Sequence, residues 1–149
     1  MEEILPCHIR IDKEGKWYYK GAEIIRRDIY LLFNQYLIKD GKGRFLLKIN
    51  NEKCYLEVED TPFIVKRVDL GKAFTIVLND ESEETLRLDT LWIGRHNVLY
   101  CKVKQNEFDA RFNRPSYYDI AQYVTYNPLE DTYYIPFDGK KFYLKQEGG

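Results

Sequence analysis

The sequence has no apolar run near the roughly 18 residues that a helix needs to cross a bilayer, which excludes a helical membrane span. Its first residues, Met1-Glu2-Glu3-Ile4-Leu5-Pro6, lack the basic start and apolar stretch of a secretory signal. The expectation is a soluble, cytoplasmic protein. An excess of one charge is also missing. Against 24 acidic residues stand 23 basic ones, for a net charge of -1, so the basic surplus of a bulk nucleic-acid binder is absent. Cysteine is limited to Cys7, Cys54 and Cys101, far apart and without a Cys-x-x-Cys pair. Reduced structural thiols are expected from that pattern.

Histidine is scarcer still, with only His8 and His96. Cys7 and His8 are adjacent, and neighbouring strand residues point to opposite faces, so no metal site is expected. No serine or cysteine sits in a nucleophile elbow. Gly41-Lys42-Gly43 is too short for a phosphate-cradling loop. The acidic pairs Asp80-Glu81 and Glu83-Glu84 fall in a polar turn and read as solvated. No catalytic residue and no cofactor emerge, and enzymatic activity is not expected.

What is present is a globular composition, 44% hydrophobic, with 15% aromatic residues that include 13 tyrosines. Such residues favour half-buried sheet surfaces. At 149 residues the chain can bury roughly two-thirds of its unfolded surface. Cys7–Ile11 and Trp17–Tyr19 read as a hairpin around Asp12-Lys13-Glu14-Gly15. Ile29, Leu32, Phe33, Tyr36 and Leu37 form one helical stripe, predicting a helix from Arg27-Asp28 to Asp40-Gly41. Phe45–Ile49 and Cys54–Val58 alternate about the turn Asn50-Asn51. A meander over 63–104 follows, with strands at 63–69, 73–78, 85–91 and 98–104. Tyr117, Ile120, Ala121 and Val124 mark a second helix, opened by Pro115 and closed by Asn127-Pro128. Tyr133, Ile135 and Phe137 lead through Asp138-Gly139 to Phe142 and Leu144, and the tail Gln146–Gly149 is expected to fray.

The two helix–hairpin segments share a pattern. An offset of 88 aligns Ile24–Glu57 with Phe112–Lys145 without a gap and with five identical pairs. An offset of 82 brings Trp17 onto Leu99. These matches predict an internal duplication, with halves at 1–62 and 63–149, and a ligand cleft at their seam. Both copies carry Arg-x-x-x-Tyr, as Arg26 with Tyr30 and Arg114 with Tyr118. Arginine at a helix N-terminus is mildly unfavourable unless an anion is near. Two partners fit. One is a ligand phosphate or carboxylate held with the helix N–H groups, with Arg27 and Arg111 adding charge. The other is an internal acid, for which Glu57, Glu59 and Asp60 stand close in sequence.

Three segments, Gly15–Gly21, Val58–Phe63 and Ala110–Tyr118, resemble the bacterial domain-of-unknown-function family 1285 in order and separation. The resemblance implies a duplicated fold whose second half is a pleckstrin-homology-like barrel. It also implies a groove for a nucleotide-like ligand and a link to signal transduction, with no catalytic residues to carry over. The combined expectation is an α+β fold of duplicated helix-plus-β-hairpin units with antiparallel sheets. Its function would be a non-enzymatic sensor or adaptor binding a nucleotide-like anion through Arg26, Arg27, Tyr30, Arg111, Arg114 and Tyr118. The alternative is a protein-interaction module, with Trp92 or Phe108 in an exposed patch.

Overall fold

Two tight turns set the local geometry of the two hairpins. Asn50 lies at φ 59°, and Asp138 and Gly139 lie at 52° and 75°. Positive φ is what a two-residue turn needs to follow the twist of the flanking strands. Around these turns, the computed structural model describes residues 3–146 and separates into two compact units, Met1–Pro62 and Phe63–Gly149. Past Gln146, the expected frayed tail lies outside the described residues.

The first unit contains β1 (Leu5–Ile11), β2 (Trp17–Tyr19), β3 (Ala22–Glu23), α1 (Arg27–Gln35), β4 (Leu37–Lys39), β5 (Phe45–Ile49) and β6 (Glu52–Val58). They form one six-stranded sheet in the order β3-β2-β1-β6-β5-β4. Ile9, Ile11, Trp17, Leu37, Leu46, Leu47 and Leu56 are buried in its core. Trp17 packs on Phe33 of α1, with ring centroids 6.1 Å apart.

The second unit contains β7 (Phe63–Leu70), β8 (Phe74–Leu78), β9 (Glu83–Thr85), β10 (Trp92–Ile93), β11 (Leu99–Val103), β12 (Phe108–Phe112), α2 (Arg114–Ala121), β13 (Thr125–Asn127), β14 (Thr132–Phe137), β15 (Lys140–Tyr143) and β16 (Lys145–Gln146). Seven strands form one sheet, β16-β10-β11-β12-β7-β8-β9, and β13-β14-β15 form another. Among the described residues no barrel closes: the edge strands β9 and β16, three and two residues long, are not paired with each other. The expected strand over 85–91 is instead β9 followed by a short 3-10 turn at Leu88–Thr90.

The sheets are mixed rather than purely antiparallel. β1 pairs with β6, β10 with β16, and β12 with β7, all in parallel. Both helices end sooner than the apolar stripe implies. Leu37–Lys39 pairs with β5, and Thr125–Asn127 pairs with β14. In each case sheet hydrogen bonds take over residues that continue the helical period.

The pairing registers of the two units coincide. Ile11 faces Trp17 and Val58, and Ile93 faces Leu99 and Gln146. Arg10 faces Tyr18 and Glu57, and Trp92 faces Tyr100 and Lys145. Leu46 faces Tyr55 as Tyr134 faces Tyr143. The match slips by one residue only between the short strand after each helix and its partner, Leu37 with Leu47 against Thr125 with Tyr134.

Cys7 and Cys54 form a disulfide between β1 and β6, with Cα atoms 5.0 Å apart and 47 positions apart in sequence. This overturns the expectation of three reduced thiols; Cys101 alone is free, and it is buried. The bond sits beside a bulge where His8 adopts φ 63°.

The acidic turn after β8 is not simply solvated. Asp80 Oδ2 and Ser82 Oγ accept from Lys104 Nζ at 2.7 and 2.8 Å. Glu84 accepts from the Lys104 backbone N–H at 3.2 Å. These bonds anchor a hairpin loop in which Lys104, Gln105 and Asn106 all have positive φ, a conformation that disfavours residues with a Cβ.

Two outcomes follow. Replacing Cys7 and Cys54 with Ser should lower the stability of Met1–Pro62 by up to about 4 kcal/mol, the loop-closure value for this separation, as read by denaturant unfolding. Burial pushes the Asp80 carboxyl up, but hydrogen bonds from Lys104 and Ser82 outweigh it and hold it below the usual carboxylate range. A group depressed in the folded state stabilises above its unfolded pKa, about 3.9, and that contribution fades as pH falls through the folded value. Asp80→Asn should therefore be less stable at neutral pH, and its deficit should shrink toward pH 2 in urea-unfolding measurements.

Candidate functional site

The repeated Arg-x-x-x-Tyr lies at the start of each helix, but the two copies differ in what surrounds the arginine. Arg26 is the N-cap of α1, extended at φ -73° and ψ 114°, with no side-chain cap bond. In that geometry its side chain reaches Asp28. Nε donates to Oδ1 at 3.2 Å and an Nη to Oδ2 at 2.7 Å. The Arg26 hydrogen bond holds the Asp28 carboxyl below the usual range, aided by the N–H groups of Asp28 and Ile29. The first helix thus carries its own anion where its dipole and N–H groups favour one. Glu59, near the end of the first hairpin, pairs instead with Arg10 at 3.6 Å and accepts from the Lys13 N–H.

In the second copy Ser116 occupies the position of Asp28. Its hydroxyl is buried and donates to the Val65 carbonyl at 2.6 Å. Asn113 caps α2 by accepting from the Ser116 N–H at 2.9 Å, the Tyr117 N–H bonds the Asn113 carbonyl, and Pro115 has no N–H to offer. The expected help from several free N–H groups is therefore not available at α2. Arg114, its first residue, is exposed and makes no hydrogen bond or ion pair with another described residue.

Tyr118 is 62% exposed, and its ring meets the Tyr117 ring edge-on at 5.8 Å. Tyr30 is half-buried, and its carbonyl accepts from the Asn34 side chain at 2.7 Å. Arg27 and Arg111 are both engaged with neighbouring groups. Arg111 sits on β12, three residues before Arg114, which opens α2, and Tyr118 follows on that helix. Phe108 is buried against Phe63 at 5.3 Å. Trp92 is half-buried and stacked on Tyr100 at 5.1 Å. Among the described residues no group of three or more His, Cys, Asp or Glu is placed to hold a metal ion, and no helix is long and apolar enough to cross a membrane.

Reading the sequence alone missed Asp28 as the partner of Arg26. The signal lay in the offset that aligns the copies, which sets Asp28 against Ser116 and so separates a self-neutralised arginine from an unpartnered one. Arg26→Ala should raise the pKa of Asp28 toward about 3.9, as read by carboxyl-carbon NMR titration; an unchanged value would mean that the pair does not persist in solution.

Residues 2–61 match the N-terminal domain of the domain of unknown function DUF1285. A crystal structure of a DUF1285 family protein from Silicibacter pomeroyi DSS-3 is similar over 94% of this chain and 80% of its own, with a TM-score of 0.78 and 21% identity. A second, from Shewanella baltica OS155, is similar over 78% of this chain and 91% of its own, with a TM-score of 0.67 and 16% identity. At these identities the likeness is one of fold. No curated protein matches the chain.

Proposed function

This chain belongs to the DUF1285 family through its N-terminal domain, and from that premise we propose that it is a non-enzymatic sensor or adaptor binding a small nucleotide-like anion at the start of α2. The observation that carries the reading is Arg114, a helix-opening guanidinium left without the acid that neutralises Arg26 in the first unit. Guanidinium groups suit phosphate and carboxylate because their fork of donors matches two oxygens. Tyr118 lies one helical turn further on, where a ring can contact the organic part of the ligand. A duplicated origin supports the comparison between the copies. The coincident registers of β1, β2 and β6 with β10, β11 and β16 favour it beyond the gapless sequence match.

A second reading, a protein-interaction surface, is favoured by one feature. Tyr117, Tyr118, Tyr126, Leu129 and Tyr133 are all exposed within one stretch of the second unit. Aromatic residues of this kind anchor protein interfaces.

Thermal denaturation with adenosine 5′-monophosphate separates the two. A ligand at a hundred times its Kd stabilises by about 2.7 kcal/mol. The wild type should show an upward shift in Tm, Arg114→Ala should abolish it, and Arg26→Ala should keep it. A wild-type Tm that ignores the nucleotide would favour the interaction surface, and a shift that survives Arg114→Ala would remove Arg114 from the site.

A further inference from the structure

Leu99, Ala121 and Val124 line a cavity of about 440 Å³ in the second unit. By the offsets that align the registers, these three correspond to Trp17, Phe33 and Tyr36 of the first unit. There, Trp17 and Phe33 meet between α1 and the sheet, and Trp17 is only 2% exposed. Three large aromatic side chains in one unit are thus three smaller aliphatic ones in the other, while the strand pairs β1–β2 and β10–β11 keep the same register. Of the other walls, Ile93 corresponds to Ile11, the buried Ile120 to the exposed Leu32, and Tyr117 and Tyr126 to the smaller Ile29 and Ile38. The positions that carry the indole and phenyl rings in the first unit thus line open space in the second.

The lining is largely apolar, with Asn97 its one amide side chain. No charged side chain contributes to it, and Tyr117, Tyr126 and Tyr133 supply aromatic surface. Tyr126 and Tyr133 already contact each other at 5.1 Å between centroids. Offset or edge-on contacts with such rings favour a flat aromatic guest over a charged one. The volume falls within the range of small-molecule sites. Tyr117 is also the i+3 neighbour of Arg114 on α2, which brings the cavity wall within one turn of the unpartnered guanidinium.

We infer that this cavity takes the planar aromatic ring of a small ligand, standing where Trp17 and Phe33 stand in the first unit. The ligand is then an aromatic molecule bearing one anionic group, its ring in the cavity and its anion at Arg114. The second part rests on the function proposed above; the ring site does not.

Two probes separate the parts: indole, which is neutral, and indole-3-acetate. In methyl NMR of the full chain, indole should shift Ile93, Ile120, Val124 and Leu144 while leaving Ile9 and Ile11 of the first unit unmoved. Ala121→Phe, which restores the first unit's side chain, should weaken indole binding at least tenfold. Indole-3-acetate should bind at least tenfold more tightly than indole, and that advantage should vanish in Arg114→Ala. If indole leaves those four methyls unmoved in the wild type, or binds Ala121→Phe equally well, the ring site is overturned whatever Arg114 does. If indole binds as described but the acetate gains nothing, the ring site stands and the anion site at Arg114 falls. Should Ala121→Phe fail to fold, the wild-type methyl shifts decide alone.

Discussion

Each unit depends on one constraint: a helix and a hairpin cannot bury their apolar faces by themselves, so the chain must bring the last strand of the hairpin back beside an earlier strand. That return is the parallel pairing of β6 with β1 and of β16 with β10. A two-stranded hairpin is marginal in water, and further strands or a packed helix are needed to hold it. The parallel partner joins the hairpin to the strand pair that precedes the helix, and the helix crosses over between them. In the first unit the Cys7–Cys54 disulfide spans this same pair of strands. In the second no disulfide occurs there, and the return strand is only two residues long.

With that frame common to both units, the side chains between helix and sheet set what each can do. Trp17 and Phe33 pack on each other in the first; Leu99, Ala121 and Val124 line a cavity in the second. The polar residues at the helix starts differ in the same sense. Asp28 neutralises Arg26, whereas Ser116 turns inward to a backbone carbonyl and leaves Arg114 to solvent. At these matched positions the first unit has packed rings and a paired arginine, and the second has cavity-lining aliphatic residues and an arginine with no partner among the described residues. The proposed ligand site in the second unit rests on that paired asymmetry rather than on either feature alone.

Much of this architecture was legible in local patterns. The two-residue turns, the hairpin register and the order of helix and strands follow from alternation and from Asn, Asp and Gly at the turns. Helix ends were not, because Leu37–Lys39 and Thr125–Asn127 continue the helical period while their hydrogen bonds go to the sheet. The disulfide was hidden because nothing local announces that strands 47 residues apart lie parallel. The Arg26–Asp28 pair was hidden for a different reason. Residues two apart do not face each other on a helix, but Arg26 is the extended N-cap rather than a helical residue, and from there its guanidinium reaches Asp28. The cavity could be read only by comparing the two units residue by residue once their registers were known.

The most direct test of the central claim is a crystal structure of the full chain grown with indole-3-acetate. The account predicts electron density for the ring between Leu99, Ala121 and Val124, with the carboxylate about 3 Å from the Arg114 guanidinium. Density for the ligand at Arg26, or a cavity filled by the protein's own side chains, would contradict it.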